Sequence, residues 1–107
     1  MLGKILGCSL VLSGLMLAAP AHANEAAEKL AKQNACTACH GIDNKIVGPA
    51  YKDVAAKYAD DPEGLAKVKD SIKNGGKGKW GQIPMPAQPQ LSDEQVTLLA
   101  EWILGLK

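Results

Sequence analysis

The sequence contains no phenylalanine and no arginine, and its only large rings are Tyr51, Tyr58, Trp80 and Trp102. A chain of 107 residues suffices for one domain. A domain so short of rings needs some other large apolar object in its core. Charge of one sign is missing too. The formal net charge is +1, without the basic excess expected of a nucleic-acid binder. With 47% hydrophobic and 21% charged residues, disorder is excluded for most of the chain. Internal repeats and strand-like alternation are absent, and the β-branched residues are scattered. Helical signals dominate, so the expected fold class is all-α.

The one long apolar run lies at the start. Lys4 precedes it, and Ile5 to about Leu17 form it, broken by Gly7, Ser9, Ser13 and Gly14. Ala21-His22-Ala23 then fits the small-x-small rule for a cleavage site. The run is shorter than the ~20 residues a bilayer requires, and Pro20 ends it. Cys8 precedes most of the run, whereas a lipidated cysteine follows it. Residues 1–23 are therefore expected to be a cleaved secretory signal peptide, and residues 24–107 the exported domain. Cleavage removes Cys8, His22, Met1 and Met16. The 84 residues left of the 107 keep Cys36, Cys39, His40 and Met85, with eleven lysines against eleven acids. A chain of that size buries only about 60–65% of its unfolded surface, which is marginal without a staple or cofactor.

Four helices can be placed. Asn24 to about Asn34 is rich in Ala, Glu and Lys, with a narrow apolar stripe of Ala27, Leu30 and Ala31. Tyr51 to Tyr58 carries Tyr51, Val54, Ala55 and Tyr58 at helical spacing. A third helix is expected from Asp61-Pro62, through Leu65, Val68 and Ile72, to a stop at Asn74-Gly75. The last has the clearest start. Ser92 and Gln95 have the spacing of a capping box, with Leu91 and Val96 placed as a hydrophobic staple. Val96, Leu99 and Ile103 then line one face, widened by Leu98 and Trp102. Between the last two helices, Gly75 to Gln90 holds four glycines and three prolines and cannot be helical. Loops of that length in small domains are usually functional.

Cys36-Thr37-Ala38-Cys39-His40 is the signature of c-type haem attachment. On one turn of helix, thiols three residues apart share a face and can each bond a vinyl group of one porphyrin. His40 lies on the same face and can offer an imidazole nitrogen to the iron. An exported location suits this chemistry. Three other uses of the cysteines are weaker. Zinc needs four ligands in tetrahedral array, more than two Cys and one His supply. A thioredoxin-like redox pair needs a βαβ setting that the chain lacks. A disulfide between Cys36 and Cys39 would close a tiny loop and stabilise little.

Met85 lies in the long loop as Ile83-Pro84-Met85-Pro86. An isolated Met is ordinarily a core filler. Here it is the only Met left after cleavage, and flanking prolines restrict its backbone enough to aim the thioether. As sixth ligand it would raise the reduction potential and leave one-electron transfer as the available chemistry. The competing possibility is a five-coordinate haem that binds a gas or reduces peroxide, with Met85 off the iron.

The chain from Asn24 onward resembles the small bacterial class I cytochromes c of the cytochrome c-551 type. The resemblance rests on Ala35 to His40, Val47-Gly48-Pro49-Ala50-Tyr51-Lys52-Asp53-Val54-Ala55, Trp80 to Pro86, and Trp102-Ile103-Leu104. It implies four or five helices wrapped around one covalently bound haem c, in a soluble periplasmic monomer that carries single electrons between respiratory donors and terminal reductases or oxidases. It assigns Cys36 and Cys39 the thioether bonds, and His40 and Met85 the iron. Pro49 would offer its carbonyl to the other nitrogen of His40, Trp80 its indole N–H to a haem propionate, and Gln88 a hydrogen bond to the Met85 sulfur. Ala35 departs from the glycine common before the first Cys, a position expected to bear on how closely the first and last helices approach. Redox partners would meet the exposed haem edge briefly, steered by Lys32, Lys45, Lys77 and Lys79.

Overall fold

The computed structural model describes residues 19–107. Most of the expected signal peptide lies outside them. Helix α1 runs Ala19–Gln33, α2 Tyr51–Lys57, α3 Gly64–Asn74 and α4 Asp93–Leu104, with a single 3₁₀ turn at Cys36–Ala38. Among the described residues there are no strands, only two isolated bridges, His40 with Lys45 and Gly76 with Met85. No described helix is long and apolar enough to cross a membrane. The fold is all-α.

α1 begins five residues before the expected Asn24, because Ala19-Pro20-Ala21 is compatible with a first helical turn, where proline costs no hydrogen bond. Its first fully buried residues are Ala27 and Ala31. They face α4, where Ala100 is equally enclosed, and three small side chains let the two helices approach closely. Ala35 does not set that approach. It is exposed and turns the chain out of α1 with φ 59° and ψ 19°, the left-handed conformation that favours glycine.

α3 starts later than expected, at Gly64, because the Asp61 carboxylate accepts from Glu63 N at 2.8 Å and holds residues 61–63 as a turn. Gly64 also packs tightly on Tyr58, where an added Cβ would lie 2.9 Å from Tyr58 Cβ. Val68 and Ile72 are buried as expected, but Leu65 is 39% exposed. Two elements meet at α4's start. Gln95 N donates to Ser92 Oγ at 3.1 Å while Ser92 N donates to Gln95 Oε1 at 2.9 Å. Leu91 and Val96 are both buried beside this capping box. α4 packs on α1, α2 and α3, and so forms the spine of the molecule.

Candidate functional site

The helices leave a deep cleft, with about 1260 Å³ of unfilled space counted to its open mouth. Its floor is core: Val54, Val68, Ile72, Leu99 and Ile103. One wall carries Cys36, Cys39 and His40, and the 76–88 loop with Met85 supplies another part of the lining. The 3₁₀ turn follows from Ala35's left-handed twist. Cys39 N and His40 N both donate to Cys36 O, at 3.1 and 3.0 Å. The cysteines remain unbridged.

His40 is fixed on three sides. Its Nδ1 lies 2.8 Å from Pro49 O. Because a carbonyl only accepts, Nδ1 carries the proton and Nε2 keeps its lone pair for a metal. Tyr51 stacks on the imidazole at 4.9 Å and 17°, and Trp102 meets Tyr51 edge-on at 5.5 Å and 75°. Gly48 presses the backbone against the ring, so that a Cβ there would come 2.5 Å from His40 Cε1. Gly48 N and Val47 N both donate to Cys39 O, tying this wall to the attachment turn.

Met85 is fixed through its backbone. Met85 N donates to Gly76 O at 2.7 Å and Gly76 N to Met85 O at 3.1 Å. Gly75, at φ 74°, permits the approach, since a Cβ there would lie 2.4 Å from Met85 O. The prolines on either side supply no N–H of their own, so Gly76 holds the segment at the Met itself. Burial pushes the Cys36 thiol above its usual pKa, partly offset by a hydrogen bond from Tyr51. That is opposite to the activation of a nucleophilic thiol. Nor is any group of three or more His, Cys, Asp and Glu side chains among the described residues arranged to hold a metal ion, and a tetrahedral zinc site wants four ligands. An apolar cleft with two adjacent thiols, an oriented imidazole and a thioether in its lining fits a tethered metalloporphyrin.

The cytochrome c family model matches residues 24–107. Cytochrome c-551 of Pseudomonas aeruginosa is 50% identical over 99 residues, 92% of this chain and 93% of that protein. Cytochrome c-552 of Nitrosomonas europaea is 48% identical over 95 residues, 89% of each. The crystal structure of wild-type Nitrosomonas europaea cytochrome c552 has a TM-score of 0.72 at 51% identity, covering 75% of this chain and 99% of that one. The chain belongs to the cytochrome c family.

As a member of that family it carries haem c and transfers electrons. The remaining expected residues also lie in the cleft. Trp80 lines it and is 37% exposed, with Lys57 Nζ 4.8 Å from its ring centre. Gln88 lines it too. Its side-chain nitrogen donates to Pro86 O at 3.4 Å, its side-chain oxygen accepts from Gln90 at 2.6 Å, and its backbone N donates to Ile72 O at 3.1 Å. Lys45, Lys77 and Lys79 stand on the lining, whereas Lys32, in α1's last turn, does not. Gly48, Gly75, Gly76 and Tyr51 escaped the sequence reading as site residues. Gly48 reads as an ordinary turn, Gly75-Gly76 as a helix stop and Tyr51 as an apolar helix position, because the contacts that matter are made across the fold.

Proposed function

We propose that residues 24–107 form the mature protein, a periplasmic one-electron carrier between respiratory donors and terminal reductases or oxidases. Cys36 and Cys39 are its thioether attachment points, and His40 and Met85 the axial ligands. The bound haem supplies the redox chemistry, its iron alternating between two oxidation states. The protein's part is to hold both axial atoms still. The observation that carries the proposal is the His40 clamp, in which the Pro49 carbonyl, the Tyr51 ring and the Gly48 backbone leave Nε2 one direction. Such partners raise ligand basicity and restrict reorganisation. The paired hydrogen bonds between Gly76 and Met85 support the opposite ligand. With His40 and Met85 both on the iron, no position there would be left for a substrate, which supports a carrier rather than an enzyme.

An optical spectrum of the exported holoprotein tests this. The oxidised wild type should show the weak red band of ferric thioether ligation, and Met85→Ala should lose it. A high-spin wild-type spectrum with avid carbon monoxide binding would overturn the assignment. Mass measurement should give a chain beginning at Asn24 plus one haem. Docking follows from the rim. Val47 and Ile83 are 42% and 67% exposed beside the cationic Lys45 and Lys77, a surface suited to brief contact with an acidic partner. Electron exchange with such a partner should slow as salt rises, and a rate indifferent to ionic strength would rule out charge steering.

A further inference from the structure

An unbroken run of side-chain amides leads from the end of α1 to the loop that carries Met85. Asn34 Nδ2 donates to Leu30 O at 2.9 Å, and Asn34 Oδ1 accepts from Gln90 Nε2 at 3.1 Å. The same Gln90 nitrogen donates to Gln88 Oε1 at 2.6 Å, and Gln88 Nε2 donates to Pro86 O at 3.4 Å. Local structure brings these groups together. Leu91 N donates to Gln88 O at 3.2 Å, closing a turn over residues 88–91 with Pro89 at its second position. The buried Leu91 seats that turn on the core, and Gln88 N, donating to Ile72 O at 3.1 Å, pins it to the end of α3. Asn34 stands just before Ala35 and Cys36. The amides therefore join the approach to the attachment turn with the segment that presents the opposite ligand.

The run has one sense. A backbone carbonyl only accepts, so Leu30 O takes the NH2 end of Asn34 and leaves its oxygen for Gln90. Gln90 must then present its NH2, and both its hydrogens are taken, one by Asn34 and one by Gln88. Gln88 is left with its oxygen toward Gln90 and its NH2 toward Pro86, the neighbour of Met85, and Gln88 and Met85 line the same cleft. At 3.4 Å the bond to Pro86 O is long, so that NH2 keeps donor capacity. We propose that Asn34 and Gln90 are positioning residues that fix which end of the Gln88 amide faces the Met85 side of the cleft. The proposal rests on the haem reading, with Met85 as axial ligand. Neither Asn34 nor Gln90 lines the cleft, so each acts only through Gln88. The NH2 end places partial positive charge near the thioether and favours the ferrous iron. A reversed amide places a carbonyl oxygen there, favours the ferric iron and lowers the reduction potential.

The test is a double-mutant cycle on the exported holoprotein, read by reduction potential at fixed pH and by the displacement of Met85 from the ferric iron by imidazole. Asn34 is half-buried and Gln90 exposed, so neither substitution opens the core. Gln90→Leu frees the Gln88 oxygen, and the potential should fall. Imidazole should bind about 2–10-fold tighter, the net worth of one hydrogen bond. Asn34→Ala should shift both quantities the same way by less, because Gln90 keeps its bond to Gln88. In a Gln88→Leu background, Gln90→Leu should change neither. An unmoved potential in Gln90→Leu, or an equal fall in the Gln88→Leu background, would overturn the relay. So would a lower denaturant midpoint with both readouts unchanged, which would make the amides a mere fastening between α1 and the loop. Absorption spectra of the same samples keep the two levels apart. A wild type without the red thioether band would sink Met85 ligation, whereas a normal band with additive variants would sink only the relay.

Discussion

Ala35 is the only non-glycine residue with positive φ among those described. The left-handed conformation costs an L-residue about 1–2 kcal/mol, and glycine would remove that strain while adding about 0.4–1 kcal/mol of unfolded-state entropy. Its methyl group is exposed, so no packing is lost. Ala35→Gly should stabilise the protein by up to about 1 kcal/mol, seen as a higher denaturant midpoint with an unchanged spectrum. A lower midpoint would mean the conformation is not strained. Gly48 makes the opposite case. A methyl group there must displace an imidazole that Pro49 and Tyr51 hold in place. Gly48→Ala should cost about 1–3 kcal/mol and disturb the haem spectrum, whereas a neutral effect would show the clamp to be soft. The residue types that carry chemistry were legible in the sequence, because Cys-x-x-Cys-His and Pro-Met-Pro are contiguous. The glycines that seat them were not, since each acts by close spatial approach on a residue far from it in sequence rather than by a local pattern.

At the scale of elements, legibility followed locality. The capping box at Ser92 was readable because both of its bonds span three residues, and both are made. Ser92→Ala should cost about 1 kcal/mol, measured by chemical denaturation, and a change near zero would show that Gln95 compensates. The start of α3 depends on the Asp61 carboxylate accepting from Glu63 N and on Gly64 packing against Tyr58, which periodicity does not report. The loop at 75–90 could be excluded as helix from its glycines and prolines, yet the pairing of Gly76 with Met85 is a non-local event. Between elements, Lys73 donates to Asp93 at 2.8 Å and links α3 to α4. That hydrogen bond holds the Asp93 carboxyl below its usual pKa, and Lys67 does the same to Asp61. Both groups are depressed in the folded state. Their contribution is present above the ordinary aspartate range and is lost as pH falls through their folded values. Stability should decline on the acid side of about pH 4, and Asp93→Asn should flatten part of that decline. Because both pairs are exposed, the effect is small and should shrink further in high salt.

For the whole molecule, the shortage of rings has a structural counterpart. Among the described residues, only Tyr51 and Trp102 are buried aromatics, and the largest side chains fully enclosed are Leu99 and Val96. Leu99, with Val54, Val68, Ile72 and Ile103, serves at once as core and as cleft floor. Haem c held in this cleft would supply the missing filling, against the same residues that hold the helices together. Without it, those side chains would line a water-filled gap in a chain already near the lower size limit for a self-sufficient core. A Cys36→Ala/Cys39→Ala variant stripped of haem should therefore lose its sharp thermal transition and much of its helical circular dichroism at ambient temperature. Readdition of free haem should restore part of both, because the floor and His40 remain but the tether does not. A haem-free variant that melts cooperatively near the holoprotein's temperature would show that the four helices pack adequately alone, and that the cofactor serves electron transfer without completing the fold.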